Sequence, residues 1–141
     1  MEYILILIDR YLDDEKPRIL AELYLAYLRR EIEWSKFTEF AEIIDRLLLS
    51  DHSCLFEFMC NEGIVVGKTN VELSSVLRLL AVGFVSQQQP AIAALTGSVD
   101  PRDEFDYVLT DYGQQFSRIL EYEIREIHRK EMDRVREVNK D

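Results

Sequence analysis

The chain has 141 residues, nearly half of them apolar, which is enough to bury the core of one ordinary domain. Its net charge of −10, from 17 basic and 27 acidic side chains, disfavours binding to phosphate backbones and to anionic lipid surfaces. With only five Gly and three Pro, the composition also disfavours loop-rich folds, all-β folds and intrinsic disorder.

A pair of helices is predicted for the N-terminal segment, residues 1–34. The first helix is expected from about Tyr3 to Leu12. Its apolar run is much shorter than the roughly 20 residues that a membrane span needs, so no membrane span is expected. Pro17 fits the first turn of a second helix, where a missing backbone N–H costs nothing.

Aromatic residues gather around the second helix and form the first candidate site. Tyr24 and Tyr27 lie on the predicted helix, and Trp34 follows its end. One interpretation places these residues in the core, because large aromatic side chains dominate cores. The other makes them a groove for a protein partner, because aromatic anchors also dominate interfaces.

Two further helices are predicted before the first strand. Ser35 is expected to cap the third helix, and Ser50 or Asp51 the fourth. The fourth carries Cys54 and Cys60, whose spacing of six residues places them out of register on a helix, so they cannot bond to each other. Without a disulfide framework, a reducing compartment such as the cytoplasm is expected.

Three short strands and a fifth helix are predicted next. The strands are the β-branched run after Gly63 and the stretches "FVS" and "YVLT". Residues 87–105 between the last two strands would form a long loop. Asn70 is expected to cap the fifth helix, whose inward face would carry four apolar residues: Leu73, Val76, Leu77 and Leu80.

One long helix, from Asp111 to about Val138, is predicted to end the chain, with Thr110 as its N-cap. Its second half carries apolar residues among many charges, and these include Ile127 and Val135. A solvated helix held by internal ion pairs is one interpretation. In the other, these residues are buried, either against a second copy or against the first helices of the same chain, and we favour the second copy, which makes a homo-oligomer.

The order of helices and strands, with "GFV" and "YVLTDYGQQF" as a hairpin that leads into a helix, resembles the winged-helix fold of bacterial-type regulators. The resemblance covers about residues 35–120, between the N-terminal helical pair and a C-terminal helical extension, 121–141. In that family the helix before the hairpin reads DNA, and the hairpin loop is the wing. The resemblance implies a mainly α fold with a small β-hairpin.

The surface that would read DNA departs from the family pattern. The helix in the recognition position carries one base, Arg78, and the wing loop is rich in acids. DNA-binding domains usually place several Lys or Arg on one face. About nine residues separate the fourth and fifth helices, where a helix-turn-helix needs three or four. Nucleic acid is therefore not the expected partner.

The residues that carry most enzyme chemistry are not grouped in this sequence. His52 and His128 are its two histidines, and neither has metal-ligand spacing to a cysteine or to the other histidine. No phosphate-loop, dinucleotide or nucleophile-elbow motif is present. The sequence predicts no enzyme, cofactor, metal or catalytic residue. It favours an interaction or regulatory module that binds another protein or itself, with a winged-helix DNA-binding regulator as the alternative.

Overall fold

The computed structural model describes residues 15–65, 71–88 and 106–140. Its helices are α1 (Glu15–Leu28), α2 (Trp34–Arg46), α3 (Leu49–Cys60), α4 (Leu73–Ala81), α5 (Asp111–Ile119) and α6 (Glu121–Val138). Its strands are β1 (Ile64–Val65), β2 (Val85–Gln88) and β3 (Asp106–Leu109). The predicted fold class, mainly α with a small β-hairpin, is confirmed. The predicted helix from Tyr3 to Leu12 and the predicted cap Asn70 lie outside the described residues.

The strands form one antiparallel sheet in the order β1–β3–β2. Ile64 of β1 pairs with Tyr107 of β3, and Val85 of β2 pairs with Leu109 on the opposite edge of β3. Strand β2 extends to Gln88, two residues into the segment predicted as a loop, and the rest of that segment lies outside the described residues. The hairpin of β2 and β3 therefore follows directly after α4 in the chain.

Thr110 joins β3 to α5 and caps that helix, as predicted. Its backbone is extended, and its Oγ1 accepts a hydrogen bond from the N–H of Gly113 at 3.1 Å. The same hydroxyl lies 2.6 Å from the carbonyl oxygen of Gly83, to which it donates. Gly83 has a φ of 84°, a left-handed conformation that glycine adopts readily after a helix end. One threonine therefore links the end of α4 to the start of α5.

Replacing this cap is expected to destabilise the protein. Thr110→Ala should lower the free energy of unfolding by about 1 kcal/mol, because the N–H of Gly113 and the carbonyl of Gly83 both lose a partner. Thr110→Ser keeps the hydroxyl and should cost much less. Urea denaturation of the two variants distinguishes the effects. Equal and negligible changes would contradict the capping role.

Four phenylalanines form the centre of the core, where α2, α5 and the chain before β2 meet. The ring of Phe116 lies 5.2 Å from that of Phe40 and 4.6 Å from that of Phe84, between centroids. Phe37, also on α2, packs against Tyr24 and Trp34, and all four phenylalanine side chains are fully buried. The core also includes Leu23 of α1 and Ile124 of α6. The three predicted segments therefore share a single core.

Two predicted helix starts are wrong by two to three residues. Helix α2 begins at Trp34, so Ser35 lies inside its first turn and makes no side-chain cap. Helix α3 begins at Leu49, ahead of Ser50 and Asp51. Asp51 instead reaches back from the first turn and accepts a hydrogen bond from the N–H of Leu48 at 2.9 Å. An acidic side chain in the first turn can satisfy an orphan N–H as well as a cap residue does.

The predicted single C-terminal helix is also wrong, because it breaks into α5 and α6 at Leu120. The backbone of Leu120 leaves the helical region, with φ −112° and ψ 21°. Its side chain is buried, as are Phe116 before it and Ile124 after it. The bend lets both helices keep an apolar face on the core. Helix α6 alone is about 27 Å long at 1.5 Å per residue, since it has 18 residues.

Candidate interaction surface

Helix α4, which occupies the recognition position of the winged-helix resemblance, buries only part of the face that was predicted to point inward. Val76 is buried as predicted, and Leu80 is partly buried against the core. Leu73 and Leu77 were expected in the core, but they are 49% and 48% exposed. The buried residues are Ser75, Val76 and Leu79. An apolar pattern that occurs on two sides of a short helix does not determine which side meets the core.

A charged pair explains this orientation of α4. Arg78 donates from Nε to Asp51 Oδ2 at 2.7 Å and from Nη2 to Asp51 Oδ1 at 2.9 Å. Burial alone would raise the pKa of Asp51, but hydrogen bonds from Arg78, from the N–H of Leu48 and from Ser75 outweigh it and lower that pKa. The one base of α4 is therefore held against α3 by a planar, two-point contact.

The aromatic residues predicted as a candidate site do lie together, at the junction of α1 and α2. The rings of Tyr27 and Trp34 are 5.3 Å apart, and those of Trp34 and Phe37 are 5.1 Å apart. Tyr24 contacts both Tyr27 and Phe37. Tyr24 and Tyr27 are partly buried against the core, and Trp34 is 42% exposed. The cluster thus covers the core and presents one edge to solvent.

The other two candidate residues lie on α6 and differ in their environment. Ile127 is buried in the core of its own chain. Val135 is 45% exposed, with Met132 at 39% and Val138 at 70%. We call Met132, Val135 and Val138 the C-terminal stripe. Successive members are three residues apart, so they lie along one side of the last turns of α6.

Two of the arginines near the C-terminal stripe are paired with acids of the same helix. Arg134 donates to Glu131 at 2.8 Å, and Arg129 donates to Asp133 at 3.3 Å. These i,i+3 and i,i+4 pairs stabilise the helix, and Met132, Val135 and Val138 remain exposed beside them. The stripe is therefore an exposed apolar surface on a helix that is held by its own ion pairs.

A cleft of about 390 Å³ opens beside the stripe, between α3, α6 and the start of α4. Met132 and Val135 of α6 line the cleft together with Val71 and Ser75. Cys54 contributes a nearly buried thiol, and burial, followed by the negative charges of Asp51 and Glu57, raises its pKa to about 12. This thiol stays protonated at neutral pH and acts as a neutral part of the wall.

His128 joins α6 to α3 at this cleft, a contact that the sequence did not reveal. Its Nδ1 shares a hydrogen bond with Ser53 Oγ at 3.0 Å, and its Nε2 lies 3.4 Å from Glu57 Oε1. Its ring also packs on Phe56, with centroids 4.6 Å apart. Ser53 and Glu57 are four residues apart on one helix face, but only the tertiary fold brings a histidine 75 residues away to them.

The serine, histidine and glutamate resemble a nucleophile, a base and an acid in their order of contact. However, Ser53 lies inside α3, where the backbone N–H groups are bonded within the helix. Such a position offers no N–H pair to stabilise an oxyanion beside the serine, and acyl-transfer enzymes usually owe more of their rate to that stabilisation than to any other effect. We therefore interpret the group as an interhelical contact.

The described part of the chain contains neither a candidate metal site nor a candidate membrane span. There, no three or more His, Cys, Asp or Glu side chains approach closely enough to hold a metal ion. Over the same residues, none of the helices combines the length and the apolar character that crossing a bilayer requires.

No protein-family model matches this chain, and neither the curated proteins nor the solved structures yield a match.

Proposed function

We propose that this protein is a non-enzymatic interaction or regulatory module that self-associates through the C-terminal stripe. The observation that carries the proposal is the exposure of Met132, Val135 and Val138 in a row on a helix in which Arg129 and Arg134 are held in ion pairs with neighbouring acids. We place the module in the cytoplasm, which the two free cysteines support, since one of them is exposed.

Burial of the stripe would favour association. Covering these half-exposed side chains in an interface contributes about 1 kcal/mol for each residue. In a two-fold symmetric dimer each contact occurs twice, so both copies contribute. Trp34 and the rest of the aromatic cluster remain a second surface for a different protein, because one aromatic edge stays exposed.

Solution mass tests the proposal. The full chain is expected to show a mass above that of a monomer at high concentration, by light scattering. Val135→Gln combined with Val138→Gln should return it to monomer, because the apolar contact is lost. The control replaces the adjacent charged residues, Arg136→Gln with Glu137→Gln, which leaves both the stripe and the net charge unchanged. A wild-type monomer at every concentration would contradict self-association.

A winged-helix DNA-binding regulator is the second candidate function. It is supported by the position of α4 directly before the β2–β3 hairpin. However, the one base of α4 is bound to Asp51, and its exposed side carries Leu73 and Leu77. We therefore expect no change in the mobility of duplex DNA at micromolar protein in low salt. Binding that weakens as salt rises would favour the regulator instead.

A further inference from the structure

The cleft between α3, α4 and α6 combines an apolar wall with an acidic rim. Val71, Met132 and Val135 supply apolar surface. Glu57, Glu72 and Glu131 supply carboxylates. Among the described residues no lysine or arginine lines the cleft. A volume of about 390 Å³ is within the usual range for sites that enclose a small ligand or a long side chain.

The three carboxylates differ in how far neighbouring groups already neutralise their charge. Glu131 accepts hydrogen bonds from Arg134, and its side chain is 26% exposed. Glu57 faces His128 across 3.4 Å, and its side chain is 40% exposed. Glu72 is the N-cap residue of α4, and within the described part of the chain its side chain makes no cap hydrogen bond and no ion pair. The rim therefore keeps a net negative charge beside a surface that favours aliphatic groups.

We propose that this cleft binds a lysine side chain of a partner protein, with its aliphatic stem against Val71, Met132 and Val135 and its ammonium group at the acidic rim. A lysine matches both features, since it buries its methylene stem and keeps its charged end at the edge of an apolar surface. A carboxylate or phosphate ligand would meet a rim that is negative overall. A purely apolar ligand would leave the carboxylates without a counter-charge.

The lysine site deepens the proposed function, since it rests on a protein partner, but it does not require self-association. The cleft is formed by one chain, but Met132 and Val135 belong both to the cleft and to the C-terminal stripe. A lysine in the cleft and a second copy on the stripe would therefore compete for these two side chains, and the monomer is the form expected to bind lysine. Self-association is measured as solution mass, and occupancy of the cleft is measured at methyl groups inside it. Each proposal can therefore fail while the other stands.

Peptide titration followed by methyl NMR tests the lysine site. The probes are the capped tripeptides acetyl-Ala-Lys-Ala-amide and acetyl-Ala-norleucine-Ala-amide, whose central side chains share the aliphatic stem and differ in charge. We expect the lysine peptide to shift the methyl signals of Val71, Met132 and Val135, and to bind at least about fivefold more tightly than the norleucine peptide in low salt. Equal binding of both, or no shift with either at tens of millimolar, would overturn the proposal.

Matched variants locate the ammonium group. Glu72→Gln with Glu131→Gln should remove most of the preference for lysine. The control, Glu31→Gln with Glu42→Gln, makes the same change in net charge at exposed carboxylates outside the cleft and should leave the preference unchanged. An equal loss in both double variants would show a general charge effect and overturn the site. Hexylammonium is the third probe, and binding of this free amine without the lysine peptide would overturn the assignment to a protein partner.

Discussion

Gly113→Ala is expected to lower the free energy of unfolding by about 3 kcal/mol, although alanine is the better helix former by about 1 kcal/mol. A Cβ built on Gly113 lies 2.3 Å from the carbonyl oxygen of Phe84 and 2.8 Å from a methyl carbon of Leu109. The first of these atoms is backbone at the end of the α4–β2 connection and cannot rotate away. Helix α5 would have to move off the sheet, which would disturb Phe116 in the core.

Gly63→Ala is the matched control for that substitution. A Cβ on Gly63 meets its neighbours at 3.6 Å or more, an ordinary van der Waals distance, so this variant should change stability by less than about 1 kcal/mol. Urea denaturation of the two variants gives the comparison. Similar midpoints for Gly113→Ala and wild type would show that α5 does not pack on the Phe84 carbonyl as described.

Asp51→Ala is expected to destabilise the protein by about 3 kcal/mol. The carboxylate is fully buried and accepts hydrogen bonds from Arg78 and from the N–H of Leu48. Its removal leaves both donors without this partner. The change loosens the start of α3 and the contact between α3 and α4 together. Glu62→Gln, at an exposed carboxylate, serves as the control and should change stability by less than about 0.5 kcal/mol.

The contribution of Asp51 should also depend on pH. Because its folded pKa is lowered, the folded state binds the proton less readily than the unfolded chain, in which the pKa is about 4. The stabilisation is complete above pH 4 to 5 and is lost as the pH falls through the folded pKa. The difference between wild type and Asp51→Ala in unfolding free energy should therefore shrink in acid. A constant difference from pH 7 to pH 3 would contradict the ionised pair.

Local signals in the sequence were sufficient to predict the strands and the helix cap at Thr110. A β-branched or aromatic run bounded by glycine predicts a strand without knowledge of its partner, and a threonine before a helix predicts a cap. The structure adds the reason why a glycine stands three residues after that threonine. The N–H of Gly113 donates to Thr110, and the absence of a Cβ lets α5 approach the Phe84 carbonyl. Packing alone therefore explains this part of the sequence pattern.

Local signals could not predict which side of α4 is buried, nor could they predict the break between α5 and α6 at Leu120. Leu73 and Leu77 suit a core as well as Val76 and Leu79 do, and the choice depends on Asp51, which lies 27 residues before Arg78. The bend at Leu120 contains no proline or glycine, so the sequence carries no breaker. The contact of His128 with Ser53 likewise depends on the packing of α6 along α3.

Site-directed crosslinking measures most directly whether the C-terminal stripe is an interface. In a Cys60→Ser background, the buried Cys54 remains protected, so a short bismaleimide reports on one introduced cysteine. Val138→Cys should give a covalent dimer at high yield, because Val138 would meet its counterpart across the interface. Leu77→Cys, at an equally apolar but separate exposed position on α4, should give little. Equal dimer from both positions, or dimer from Leu77→Cys alone, would contradict self-association through the stripe.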